Sequence, residues 1–199
     1  MSTDNILYLT PRDPQQRLNL SQQIEPLLQQ LQLISTPLLF RGQSHYRPGE
    51  KLFDHLTFLG CSPVVALGEL GATGEEFCHI ELQSSAQLAF IGGQNVKPLR
   101  CRECQHATAA WRPFIEQWQH SPLDSRWYCE QCHQPHDLLT TPWRKSAAFG
   151  HSFVKIWGVF ESEAIPSPQL MEQLGQVTAT PWHHFYFRGD NDQGVYTHC

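Results

Sequence analysis

The chain has 199 residues, of which 40 % are hydrophobic and 17 % charged, with a net charge of −5 at pH 7. That length can bury the core of one domain of ordinary size, and no apolar run approaches the ~20 residues of a membrane span, so no membrane partner is expected. The acidic balance argues against broad binding to nucleic acid or to anionic membranes.

Taken in chain order, Met1 to Ile6 carries no basic run and no apolar stretch of leader type, so no export is expected. Ile6 to Thr10 reads as a short buried strand ended by Pro11. Leu20, Ile24, Leu27, Leu28, Leu31 and Ile34 recur at helical spacing, with Ser21 as N-cap and Pro26 in the first turn or at a kink. The glutamines between 22 and 32 form the solvent face of that helix. Pro48 opens a second helix through Leu52, Leu56 and Leu59, capped by Gly60. Strands follow at Val64–Leu67, Phe77–Leu82 and Leu88–Ile91. The glycines from Gly68 to Gly74 form a turn, lacking the order of a phosphate loop or dinucleotide site. Gly92-Gly93 reads as a turn into the next segment.

That segment carries the strongest motif of the sequence. Cys101-Arg-Glu-Cys104 and Cys129-Glu-Gln-Cys132 are two Cys-x-x-Cys turns, each able to aim two thiolates at one tetrahedral ion. Four soft ligands suit a structural Zn2+ and leave no open position for chemistry; iron is the alternative ion. The 24 intervening residues exceed the usual linker of a four-cysteine zinc site, about 15–20 residues. They hold a helix with Trp111, Phe114, Ile115 and Trp118 on one face and Pro113 in its first turn. His106 and His133 lie close enough to the turns to replace a cysteine or to bond a sulfur. Cys129-Glu-Gln-Cys132-His133 also matches the haem-attachment pattern, but haem is attached after export and would leave Cys101 and Cys104 without a role. A redox role normally uses a single Cys-x-x-Cys with one exposed thiol of low pKa. From Lys97 to Lys145 seven basic residues face five acids, and four thiolates on a divalent ion bring the sum near zero. The module is not a basic patch, so nucleic-acid binding through it starts weak.

Beyond the module, Phe153–Phe160 is strongly strand-forming, Pro168–Val177 has helical spacing through Leu170, Met171 and Leu174, and Trp182–Phe187 is an aromatic strand. The expected fold class is α+β: a mixed β-sheet with helices on one face, built from 1–97 and 141–199, with a zinc-ribbon-like module inserted at 98–140. Four of the seven cysteines in metal-type pairs fit a reducing cytoplasm. Cys61 and Cys78 read as free buried thiols, and terminal Cys199 as the most reactive one.

Phe58-Leu-Gly-Cys-Ser-Pro63, Phe77-Cys-His-Ile80 and Phe153-Val-Lys-Ile-Trp-Gly-Val-Phe-Glu-Ser-Glu-Ala164, together with the two cysteine turns, resemble an uncharacterised family of small bacterial proteins. The resemblance implies the four-cysteine module and no known activity.

No Ser-His-Asp set, H-E-x-x-H or phosphate loop is visible, and the reading leans against an enzyme. The leading function is a zinc-binding cytoplasmic protein, a non-catalytic binding or adaptor module with a protein partner, its six tryptophans available for an interface. The alternatives are an enzyme with a dispersed site in the α+β body, signalled by a pocket lined by Cys78, His79 or His183, and nucleic-acid binding through the module by Trp or Arg stacking. In a strand, Cys78 and His79 face opposite ways, as do His183 and His184.

Overall fold

A computed structural model describes residues 3–59, 78–121, 124–190 and 194–197. The strand expected at Val64–Leu67, the turn at Gly68–Gly74, Gly60, Cys61, Phe77 and Cys199 lie outside the described residues. The architecture is α+β, mostly strand with three α-helices. No helix among the described residues is long and apolar enough to cross a membrane.

Strand β1 (Asp4–Pro11) contains the expected segment and lies between two later strands. The next apolar stretch opens as a π-helical turn, Leu20–Ile24, before α1 (Glu25–Gln30). Asn19 is the cap, not Ser21: its side chain accepts the Gln22 N–H at 3.2 Å, while the Ser21 hydroxyl donates to Asn19 Oδ1. Ser21 already has helical neighbours on both sides and so cannot serve as the half-in residue. The helix also stops short of Ile34. Gln32 turns left-handed at φ 53°, and the Leu33 and Gln32 N–H groups bond Leu28 O and Gln29 O, closing a Schellman turn.

Ile34 therefore starts β2 (Ile34–Phe40), which forms a hairpin with β3 (Gln43–Pro48) across Arg41-Gly42. The expected second helix is replaced by a 3-10 turn at Leu52–Asp54 and strand β4 (Leu56–Phe58). Leu52 and Leu56 are buried as helical spacing required, but in two separate elements, and Leu59 is exposed. The strands expected at the two ends of β5 merge into one, Ile80–Gly92.

The module holds β6 (Leu99–Arg100), β7 (Ala107–Thr108), α2 (Arg112–His120), β8 (Arg126–Tyr128) and β9 (Pro135–Asp137). After it come β10 (Ala147–Trp157), β11 (Ala164–Pro166), α3 (Pro168–Thr178), β12 (Trp182–Gly189) and β13 (Val195–Thr197). The main sheet runs β12-β1-β10-β5-β3-β2, with β13 also paired to β5. Every pairing in it is antiparallel, where a mixed sheet is expected. The β10–α3–β12 unit does keep its two strands in one direction, but β1 is inserted between them and pairs antiparallel with both.

Alternation along the strands feeds two cores. Leu7, Leu9, Val154 and Ile156 join Ile24, Leu28, Leu170 and Leu174, whereas Ile6, Tyr8, Phe153, Phe185 and Phe187 form another cluster. A third core is built where Leu88, Phe90, Ala147 and Phe149, at the far ends of β5 and β10, meet Trp111, Ile115, Trp118, Trp127 and Leu138 of the module. Both connections of the module are fastened to the free edge of β12. Gln94 N–H bonds Arg188 O, Asn95 exchanges side-chain bonds with Tyr186 O and Arg188 N–H, and Tyr186 N–H bonds Lys145 O. Gly93 permits this approach, since a Cβ there would stand 2.3 Å from Arg188 O.

Candidate metal centre

Each cysteine turn is the tip of a two-stranded hairpin, β6–β7 for Cys101 and Cys104 and β8–β9 for Cys129 and Cys132. The two tips repeat one backbone design. The first cysteine's N–H bonds the carbonyl five residues on (His106 or Gln134), and its carbonyl accepts the N–H four residues on (Gln105 or His133). Gln105 and His133 both take positive φ, 59° and 58°, to close the loop. His133 is thus a turn residue rather than a ligand.

The four Sγ atoms lie within 4.8 Å of one another, with Cys101–Cys132 and Cys104–Cys129 each 3.5 Å apart. Four sulfurs about 2.3 Å from a tetrahedral ion stand about 3.8 Å apart, so these residues fit such an ion. Cys101 and Cys129 are buried; Cys104 and Cys132 are half-buried. Their electrostatics point the same way. Backbone N–H groups, that of Cys132 first and then that of Gln131, hold the Cys129 thiol at about 6 against its burial. The Gln134 N–H favours the Cys132 thiolate too, yet burial and the sulfurs of Cys101, Cys104 and Cys129 push that thiol up to about 12. Four thiolates this close repel one another until a cation joins them.

His136 stands with its Nε2 3.2 Å from Cys101 Sγ and its ring over Trp127, at 4.7 Å between centroids. An imidazole N–H at that place would donate to a metal-bound thiolate and orient it. His106 and His133 have no such contact: the His106 ring lies 3.9 Å from Glu130. The helix between the turns forms as its spacing requires, with Pro113 in its first turn and Ile115 and Trp118 buried.

The other expected positions are distributed differently. Cys78 and His79 are buried in the core, and burial pushes the Cys78 thiol up to about 12, leaving it inert. His79 stacks on Trp157 at 5.0 Å. His183 and His184 both line a cavity beside the module. All six tryptophans are at most 9 % exposed, so they are core residues and do not supply the interface or the stacking platform expected of them. Tyr128, next to Cys129, is instead an exposed ring of the module.

Compared with known proteins, the chain matches no family model, no curated protein and no solved structure. Among the described residues the metal-type cluster is this one, and its four cysteines could hold an ion.

Proposed function

We propose that the protein is a zinc-binding protein of the reducing cytoplasm, in which Cys101, Cys104, Cys129 and Cys132 hold one structural Zn2+ and residues 98–140 form a binding module for a protein partner. The observation that carries this reading is the convergence of four sulfurs from two identical hairpin tips. Such a set fills a tetrahedral ion's coordination and leaves no position for water or substrate, so the ion would supply cross-linking rather than Lewis-acid chemistry. The near-neutral charge of the module favours a protein surface over a nucleic acid, and Tyr128 is an exposed aromatic group of the kind enriched at interfaces.

Elemental analysis of the purified chain is expected to give one zinc per molecule in a colourless protein; iron or no metal would sink the assignment. In Cys104→Ala, the 98–140 segment is expected to unfold, seen as loss of amide-exchange protection at Leu99, Trp118 and Trp127. A native melting curve in that variant would refute a structural role.

A further inference from the structure

A cavity of about 540 Å3 lies between the segment leaving the module, the start of β10, the first turn of α3 and the start of β12. That volume falls within the range of small-molecule sites. Arg12, Arg144, Lys145, His183 and His184 line it, and among the described residues no Asp or Glu does. Three permanent cations lining one cavity stand out in a chain whose net charge is −5.

The backbone holds these cations in place. Arg12 N–H bonds Pro181 O at 2.8 Å, and Lys145 O accepts the Tyr186 N–H at 3.0 Å. Arg144 and Lys145 occupy two successive left-handed positions, φ 51° and 60°, a conformation that side chains other than glycine adopt only where the surroundings enforce it. The Arg144 guanidinium donates to Pro98 O, leaving further N–H groups of its fork. The Arg12 and Lys145 side chains have no hydrogen-bond or ion-pair partner among the described residues. Nε2 of His183 and of His184 is buried, again with no partner among the described residues. Pro142, Pro168 and Met171 add an apolar wall.

We propose that this cleft binds a small phosphate-bearing molecule, its phosphate gripped by Arg12, Lys145 and the outer N–H groups of Arg144 and its apolar part laid along Pro142, Pro168 and Met171. Guanidinium forks match the paired oxygens of a phosphate, and three cations suit a dianion better than a single carboxylate. The positive field reaches the histidines: after burial, Arg12 is the group that lowers His183, and Lys145 does the same for His184. A cleft of this size on an acidic protein does not suit an extended nucleic-acid strand. The inference goes beyond the metal reading and does not depend on which ion the cysteines hold.

The test is an NMR titration of the full, metal-loaded chain with inorganic phosphate, phenyl phosphate and benzoate. Saturable shifts of the Lys145, His183 and His184 signals are expected with phenyl phosphate, at higher affinity than with phosphate alone or with benzoate. Arg12→Gln/Lys145→Gln is expected to weaken phenyl phosphate about tenfold or more while melting as the parent does, both side chains being exposed; Arg12→Gln alone gives a second, milder reading. Absence of saturable shifts, unchanged affinity in both variants, or benzoate binding as tightly as phenyl phosphate would overturn the proposal.

Discussion

At the scale of single residues, His133 shows how a chemically suggestive side chain can hold its place for a backbone reason. It is the left-handed closing residue of its cysteine turn, equivalent to Gln105 in the other. His133→Gly is therefore expected to keep the full metal content and the parent's stability, while His133→Val loses about 1–2 kcal/mol through left-handed strain; loss of metal in the glycine variant would make His133 a ligand after all. His183 and His184 carry a pH dependence. Burial first, and the neighbouring cations second, hold both at about 4, below the ~6.5 of an unfolded histidine. The native rings are neutral where unfolded ones are charged, so stability is complete above about pH 6.5 and declines as pH falls toward 4. His183→Gln/His184→Gln should lose less melting temperature than the parent between pH 7.5 and 4.5 (~3 units across the window); equal losses would contradict this. The four cysteines were readable from sequence because their spacing is local. His136 was not, because its approach to Cys101 depends on the β8–β9 register that sets it opposite Trp127.

At the scale of elements, the sequence announced periodicity better than boundaries. Strands β1 and β12 and helices α2 and α3 were legible because strong apolar spacing coincides with Pro or Ser at their ends. The end of α1 was not, since Gln32 takes the left-handed position that glycine usually marks. The β2–β3 hairpin was hidden for a related reason: its turn residues, Arg41 and Gly42, both have positive φ, but Arg-Gly is a weaker signal than Asn-Gly. Across four strands, pairing builds the row Phe185–Tyr8–Lys155–Glu81. Lys155 is 2 % exposed and bonds both Glu81 oxygens at 3.2 Å, with Trp157 Nε1 donating to the same carboxylate. Removing one partner strands a buried charge. Lys155→Met should cost about 3–5 kcal/mol in chemical denaturation, and Lys155→Met/Glu81→Leu should recover most of it; a double variant as unstable as the single would show that the pair contributes through packing or wider bonding instead.

At the scale of the whole molecule, the order of strands was beyond the sequence, because β1 enters the sheet between two strands formed more than 140 residues later. The cationic cleft was equally hidden, its residues coming from four separate segments. The fastening of the module to β12 has a consequence for how copies of the chain meet. Outward amide groups at Tyr186 and Arg188 are occupied, so along that stretch the sheet offers no template to a neighbour. At the opposite end, β2 pairs only with β3 among the described residues and carries Pro37 and the 76 %-exposed Leu39. A ribbon with one sealed border can join a second copy once, and then growth stops; a filament needs two open borders. If the four cysteines hold the proposed ion, chelating it should loosen the module, unseal that stretch of β12 and let copies of the chain add at both borders of the sheet. Light scattering after chelator addition is expected to rise continuously with chain concentration, and scattering that stays at the level of the metal-loaded protein would show that the border is closed by something other than the module.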